Sequence, residues 1–180
     1  VSGEGLYKVL QSGRDVKSVS NLTTGTLAGL DIDEYTETLY VADNATDGGI
    51  YSASTSGGDP TQVLSVPYAW GVAYDLHLNG GTLFVSTRDG SIYSSPSEDF
   101  PCLESSCLTE LVSDVDDLRG IAVDPEDHVV YYACSDGIYS MASDGSDQTL
   151  LYSTSERSVD VTVDRHRGLI FFADGSDQTL

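Results

Sequence analysis

Residues 119–152, RGIAVDPEDHVVYYACSDGIYSMASDGSDQTLLY, decide the predicted fold. The stretch contains four short runs of β-branched and aromatic residues, separated by Asp-Pro, Asp-Gly and Asp-Gly-Ser turns. Such runs predict strands. An Asp-Gly between two of them predicts a tight hairpin, because glycine adopts positive φ without steric cost. The stretch therefore predicts a four-stranded antiparallel meander.

The same unit recurs along the chain. Its first strand is found at 29–33, 71–75, 120–124 and 160–164. Its third strand is found at 5–8, 49–52, 91–94 and 137–140, mostly as Gly-Ile-Tyr-Ser or a close variant. A period of 40 to 50 residues with four strands in each repeat is typical of a β-propeller.

The two ends of the sequence fall at different phases of the repeat. The chain starts in a third strand and stops after a second strand, so strands from both ends predict one shared blade. We therefore expect an all-β, four-bladed propeller of four-stranded antiparallel blades, with one blade shared between the N- and C-terminal strands. As a single domain over 1–180, its blades lie at about 21–66, 67–113, 114–155 and 156–174 plus 1–20.

The positions of the two chain ends in the repeat also allow two alternatives to a blade shared within one chain. The split blade closes between chains instead, by strand addition that gives rings or filaments. Alternatively, the chain is a fragment of a larger propeller, which further repeats beyond Leu180 would establish. Residues 173–180 are left over after four periods and form either an inert end or a tail that pairs with another copy.

The charge balance limits the partners. The 29 acidic and 8 basic residues give a net charge of −21. Such a surface repels nucleic acid and anionic membranes and attracts cations or basic partners, although it equally suits simple solvation in a salty medium. No run of eighteen apolar residues is present. We therefore expect neither nucleic-acid binding nor membrane insertion.

Cysteines and glycosylation sequons favour an extracellular, secreted protein. Cys102 and Cys107 flank four residues inside the long insertion of the second blade, where a loop disulfide is predicted. Asn21 and Asn44 begin Asn-x-Thr sequons in predicted loops, and any secretory signal has been removed or lies outside this sequence. Cys134 lies in a second strand and is predicted to be a small buried apolar residue.

Several of these repeats resemble a known family. Residues 120–125 (GIAVDP), 130–133 (VYYA) and 138–145 (IYSMASDG) resemble the YWTD repeats of the low-density-lipoprotein-receptor class of propellers. Residues 39–44 (LYVADN) are closer to the related NHL repeats. The likeness covers nearly the whole chain in four copies. It departs from the family in two ways, because the second strands lack Trp-Thr-Asp and the family's propellers normally have six blades.

The resemblance implies a recognition module outside the cell that carries out no catalysis. A minority of similar propellers are metal-dependent hydrolases or lyases, and this is the alternative function. In the sequence, His77, His128 and His166 follow three different first strands and are predicted not to converge. No Gly-x-Ser-x-Gly elbow occurs. We therefore predict no catalytic residue.

One set of acidic residues is a candidate calcium site. An acidic residue precedes glycine, or sits in the same loop position, between the second and third strands of each repeat: Glu4, Asp47, Asp89 and Asp136. These loops are expected on one face of a propeller, where carboxylates suit Ca²⁺. A structural role in tight turns is the favoured alternative. No cofactor is required, and calcium is the candidate. The Asp that ends each first strand (Asp33, Asp75, Asp124, Asp164) is predicted to bind the turn backbone.

The residues that enter the first strands predict a binding face. They are Tyr68, Trp70, Arg119 and Arg157, with Arg88 in a neighbouring loop. Trp, Tyr and Arg are enriched in interface hot spots, although Trp70 equally suits a plug of the central channel. The third-strand tyrosines (Tyr7, Tyr51, Tyr93, Tyr139) are predicted to pack between blades. We expect a protein partner or self-association by strand exchange through the termini.

Overall fold

The computed structural model describes residues 6–9, 12, 15, 17–20, 26–154 and 158–175. Within these residues the regular structure is almost entirely β-strand. Three single-turn 3₁₀ helices span Leu78–Gly80, Ser97–Asp99 and Ser105–Cys107. No helix in this described part is long and apolar enough to cross a membrane.

Sixteen strands occur in the described ranges. They are β1 (Leu6–Lys8), β2 (Lys17–Ser20), β3 (Leu27–Asp33), β4 (Thr38–Asp43), β5 (Gly49–Ser54), β6 (Thr61–Ser65), β7 (Ala69–Asp75), β8 (Thr82–Thr87), β9 (Ile92–Pro96), β10 (Thr109–Val112), β11 (Ile121–Asp124), β12 (Val129–Cys134), β13 (Gly137–Ala142), β14 (Thr149–Ser153), β15 (Ser158–Asp164) and β16 (Leu169–Asp174). Their spacing follows the repeat in the sequence.

The strands form three complete four-stranded blades and two incomplete ones. The first blade is β3 to β6, the second is β7 to β10 and the third is β11 to β14, each antiparallel and in chain order. These sheets confirm the predicted meander. The strands β1 and β2 form the N-terminal half-blade, and β15 and β16 form the C-terminal half-blade.

Four hydrophobic clusters join these units in a row. Each cluster is shared by two neighbours: Leu6 and Val41 join the N-terminal half-blade to the first blade, Tyr40 and Leu83 join the first to the second, Phe84 and Val130 join the second to the third, and Ile138 and Val161 join the third to the C-terminal half-blade. The half-blades therefore lie at opposite ends of the row. The first strands β3, β7, β11 and β15 lie side by side along its inner edge.

The expected shared blade is not formed among the described strands. There, β1 pairs with β2 and β15 pairs with β16, as two separate two-stranded sheets. In the described structure the N-terminal half-blade packs on the first blade and the C-terminal half-blade packs on the third, so the two half-blades do not share a sheet.

Glycines set the close approach of neighbouring inner strands. A Cβ at Gly29 would lie 2.7 Å from the carbonyl oxygen of Trp70 and 2.9 Å from the Cα of Gly71. A Cβ at Gly120 would lie 2.6 Å from the Cα of Asp160. Such distances exclude a side chain, so glycine is needed for this approach. At the same phase of β15 the residue is Asp160.

The aspartates at the ends of the first strands hold the turns that follow. Asp33 accepts hydrogen bonds from the backbone N–H groups of Tyr35 and Thr36. The other three make the same kind of contact: Asp75 accepts from His77 and Leu78, Asp124 from Glu126 and Asp127, and Asp164 from Arg167. These bonds confirm the predicted structural role of all four carboxylates.

Candidate functional site

The C-terminal end of the row exposes a broad apolar surface. Phe171 is 52% exposed and Phe172 is 39% exposed on β16. We call the C-terminal apolar face the exposed residues of β14 and β16: Leu150, Leu151, Tyr152, Leu169, Phe171 and Phe172. The rings of Tyr152 and Phe172 lie 5.3 Å apart, whereas Phe171 is the adjacent residue of the strand and points to the opposite face of the sheet. Clusters of exposed apolar residues mark interaction sites.

The N-terminal end exposes a second apolar surface. It consists of Tyr7, Val9, Leu30 and Ile32, which we call the N-terminal apolar face. Leu30 is 57% exposed, whereas its equivalents Val72 and Ile121 are buried against the preceding blade. In a complete preceding blade, the first and second strands would cover Leu30 and Ile32. The N-terminal half-blade contains only a third and a fourth strand. The structure therefore leaves the preceding side of β3 open.

Tyr7 corrects one prediction. Its equivalents Tyr51, Tyr93 and Tyr139 pack against the hydrophobic clusters between blades, as predicted. Tyr7 is 50% exposed instead. The reason is that Tyr7 faces the side of the N-terminal half-blade on which no further blade packs in the described structure.

A cleft of about 940 Å³ lies along the inner strands. Its lining includes Asp31 and Asp160, each of which accepts the N–H of the residue that follows it. Asp31 also accepts the N–H of Tyr74 at 2.7 Å, which ties the first blade to the second. Burial raises the pKa of the Asp31 carboxyl, and the two backbone N–H donors partly oppose this. The main role of Asp31 is therefore structural, because its carboxylate links the first blade to the second.

The predicted binding face divides into two separate contacts. The Arg119 guanidinium lies 4.4 Å above the Trp70 ring and forms a 2.7 Å ion pair with Asp117. The Arg119 side chain is only 14% exposed, so these two partners hold it within the protein. The backbone N–H of Arg88 donates to the carbonyl oxygen of Tyr68, and both side chains are exposed. Arg157 lies outside the described residues.

The acidic loops predicted to hold calcium do not converge where they are described. Asp89 accepts a hydrogen bond from Thr87, and Asp136 accepts from Cys134 and Tyr139. Asp47 is exposed in its own loop. Within the described residues no three His, Cys, Asp or Glu side chains are grouped to hold a metal ion. Glu4 lies outside the described residues, and the calcium site stays a prediction.

The histidines show a contact that the sequence analysis missed. The Nδ1 atom of His128 lies 2.7 Å from a carboxylate oxygen of the fully buried Asp75. Asp75 ends the first strand of the second blade, and His128 follows that of the third. This contact joins the second and third blades. The two residues are 53 positions apart, so this contact could be predicted only from knowledge of which turns are adjacent in space.

The long insertion of the second blade reaches back to the first. Cys102 and Cys107 form a disulfide with Cα atoms 6.2 Å apart. The N–H of Cys102 donates to the carbonyl oxygen of Val63 at 2.8 Å, and the Phe100 ring lies edge-on to Tyr40 at 6.3 Å. The insertion is thus a strap across the junction between these blades.

The remaining predicted residues stay within their strands and loops. Cys134 is buried, and burial together with Asp136 raises the pKa of its thiol to about 11, so it is protonated at neutral pH. This agrees with the predicted apolar role. Asn44 is half-buried after β4, and Asn21 lies outside the described residues. Glycosylation of either stays a prediction.

Comparisons with known proteins identify the fold and no family. No protein-family model and no curated protein matches the chain. Among solved structures, the chain is similar to a nidogen–laminin complex, with 20% identity, a TM-score of 0.77 and 88% of this chain aligned. It is also similar to a gluconolactonase from Xanthomonas campestris (14% identity, TM-score 0.72, 95% aligned) and a TolB-like protein from Agrobacterium tumefaciens (15%, 0.71, 96%). These are β-propellers, so the chain has a β-propeller fold.

The chain spans 60%, 62% and 64% of those three chains, respectively. The chain is thus an arc of propeller rather than a closed ring in its described part. Exposed apolar residues lie at both ends of that arc.

Proposed function

We propose that this chain is a non-catalytic, extracellular protein-binding module that binds through its two incomplete blades. The exposed aromatic residues at the end of the arc carry the proposal. Phe171 and Phe172 are large apolar side chains on β16, in a sheet of which only two strands are described, and Tyr152 of the neighbouring third blade lies against Phe172. Large aromatic groups are the residues that most often dominate protein–protein affinity.

Other features support the same function. The predicted sequons and the Cys102–Cys107 disulfide suit an oxidising, extracellular compartment. The similar nidogen structure is a complex with another protein, laminin. Arg119 is largely covered, which leaves Tyr68 and Arg88 as the exposed residues of the predicted binding face within the described part of the chain. We therefore rank the ends of the arc above that face as the contact surface.

The alternative function is a metal-dependent propeller hydrolase or lyase. The cleft favours it, because Asp31, Asp160 and His166 all line a space large enough for a small molecule. Calcium is the candidate ion. Under this alternative the two apolar faces have no role in the function, and substitutions of cleft residues abolish turnover.

A single set of variants separates the two functions. Phe172→Ser is compared with Tyr35→Ser, a matched control because Tyr35 is also an exposed aromatic residue, 89% accessible, in the turn after β3. Sedimentation velocity is expected to reveal complexes that Phe172→Ser abolishes and Tyr35→Ser retains. Lactone and phosphotriester substrates are assayed with Ca²⁺, Mn²⁺ and Zn²⁺ in parallel. Monomers under all conditions, together with turnover lost in Asp160→Asn, would contradict the proposal in favour of the enzyme.

A further inference from the structure

Each end of the arc carries what the other end lacks. The C-terminal half-blade is a first and a second strand, and the N-terminal half-blade is a third and a fourth strand. Within the described strands, the free edge of β16 is the edge to which a third strand adds in every complete blade. The occupant with the fitting strands is a second copy of this chain.

The third blade provides the register for this pairing. There, Ala133 lies opposite Ile138, Tyr132 opposite Tyr139 and Tyr131 opposite Ser140. In the repeat, Ala173, Phe172 and Phe171 occupy the positions of Ala133, Tyr132 and Tyr131, and Leu6, Tyr7 and Lys8 occupy those of Ile138, Tyr139 and Ser140. The stacked rings of Tyr132 and Tyr139, 5.3 Å apart, correspond to Phe172 and Tyr7.

The exposed residues of β14 fit the same footprint. In the second blade, Leu111 and Val112 of the last strand pack beside Tyr139 of the next blade. Leu151 and Tyr152 occupy the equivalent positions in the third blade, and both are exposed. If β1 of another copy is added to β16, its Tyr7 covers Leu151 and Tyr152. The C-terminal apolar face thus consists of residues that an added third and fourth strand would cover.

The N-terminal half-blade is a basic region of an acidic chain. Residues 6–20 contain Lys8, Arg14 and Lys17 against Asp15, a net charge of +2. Because the whole chain carries −21, the remaining residues carry −23. Both lysines of the protein lie in this half-blade, directly opposite each other in the β1–β2 pair. Like charges in that position favour an acidic partner.

The curvature of the arc selects the number of copies. The YWTD propellers that these repeats resemble normally have six blades, which is roughly 60° per blade. Closing one chain as four blades needs about 90° per blade, and closing two chains as eight needs about 45°. The two-copy ring therefore requires the smaller distortion.

Asp160 is consistent with this smaller angle. The glycines at the same phase of β3, β7 and β11 let the next inner strand approach within 3 Å or so of where a Cβ would be. Asp160 has a Cβ, so the next inner strand must lie farther from β15. If the first strands of two neighbouring blades move apart while their fourth strands stay packed, the two blades become more nearly parallel. The angle between the blades is then smaller.

We propose that β1 of one copy adds antiparallel to β16 of another, with Leu6 opposite Ala173, Tyr7 opposite Phe172 and Lys8 opposite Phe171, so that two copies close into an eight-bladed ring. This inference rests on the proposed protein-binding function and names its partner. Both half-blades of each copy are completed, and no sheet edge between them stays open.

Cysteine cross-linking tests the register. Leu6→Cys and Ala173→Cys are made in separate proteins, mixed and oxidised. A disulfide-linked pair of twice the 19.2 kDa chain mass is expected, with the Leu6–Ala173 link identified by mass spectrometry. Tyr7→Cys with Phe172→Cys is the second in-register pair, since neighbouring pairs alternate in geometry and Leu6 is itself buried. Lys8→Cys with Ala173→Cys is the control, because diagonal neighbours lie beyond disulfide reach.

The outcomes separate this inference from the function on which it rests. Cross-linking of the in-register pairs alone, with a wild-type mass of two chains by sedimentation velocity, supports the ring. A Leu6→Cys/Ala173→Cys double variant that cross-links within single chains overturns it in favour of a four-bladed ring. Species larger than two chains overturn the closed ring. Complexes that depend on Phe172 without in-register links overturn this inference and leave the protein-binding function standing. Monomers throughout also overturn this inference, and only monomers together with turnover that Asp160→Asn abolishes contradict the protein-binding function.

Discussion

The strands β12 and β16 occupy the same position in the repeat and have opposite environments. In β12, Val130 is 0% exposed and Tyr132 is 2% exposed. In β16, the equivalent of Tyr132 is Phe172, which is 39% exposed. The two sequences are almost equally apolar, Val-Tyr-Tyr-Ala-Cys against Ile-Phe-Phe-Ala-Asp. The difference lies in the neighbouring strands, which surround β12 on both sides and β16 on one.

The less covered strand is the more apolar at its two aromatic positions. Tyr132 donates a hydrogen bond from its hydroxyl to Gln148, and burial raises its pKa to about 12. Phe172 has no hydroxyl and is more exposed than Tyr132. A strand that stayed in water would gain from polar residues there. The comparison teaches that β16 has the composition of a covered strand.

The largest effect is expected from truncating the aromatic side chain in each strand. Tyr132→Ala removes a buried ring and lowers the free energy of unfolding by about 3 kcal/mol. The loss is the same at every protein concentration. The effect of Phe172→Ala is smaller in dilute protein and grows with concentration, because the folded assembly is stabilised by mass action. Urea unfolding at two concentrations, a hundredfold apart, measures both.

The comparison fails if the two variants behave alike. A Phe172→Ala protein that loses the same free energy at both concentrations would mean that β16 is not covered by another chain. Tyr35→Ala is the control for removing an exposed ring, and we expect it to change stability by less than about 0.5 kcal/mol.

The next largest effect is expected at the inner strands. Gly29→Ala places a Cβ 2.7 Å from the carbonyl oxygen of Trp70, which is backbone and cannot move aside. We expect a loss of about 2 kcal/mol and a melting temperature lower by roughly 4–8 °C. Asp160→Ala keeps the Cβ that β15 already has and loses about 0.5 kcal/mol or less. Equal melting temperatures for the two variants would show that the junctions are not differently spaced.

A smaller effect is expected from charge reversal in the N-terminal half-blade. Lys17→Glu weakens association up to about fivefold, because one exposed charge pair contributes up to about 1 kcal/mol. The loss shrinks as salt is added. Arg88→Glu is the matched control, since it makes the same change in net charge on the second blade. If sedimentation equilibrium gives the same dissociation constant for both variants, the charge of the half-blade has no specific role.

The smallest effect concerns the covered face of β3. Burial raises the pKa of Asp31 above its ordinary value of 3.8, so the folded protein binds this proton more tightly than the unfolded chain. Stability therefore falls as pH rises from about 4 through the raised pKa. Asp31→Asn removes this slope, which thermal melting at a series of pH values detects. A wild-type slope that persists in Asp31→Asn would assign it to another group.

Local chemistry explains what the sequence predicts well. The strands, the meander and the turn role of Asp33 and its equivalents depend on residues within a few positions of each other. The contact between Trp70 and Arg119 and the contact between His128 and Asp75 depend on the spacing of blades. Closure of the ring depends on a small angle repeated at every junction, which no single residue determines. The repeat phase predicts both half-blades, and the angle between blades keeps them apart.

The strap from the second blade has a mechanical consequence. Cys102 and Phe100 fasten the first junction near its outer rim, far from the inner strands. In residues 26–154 no disulfide-bearing insertion crosses the junction between the second and third blades, which the His128–Asp75 contact and the Arg119–Trp70 stack join instead. Bending of the arc is therefore expected to concentrate there, so that junction acts as the hinge. Reduction of the Cys102–Cys107 disulfide would then spread the flexing over both junctions, and the protein would lose stiffness before it lost any strand.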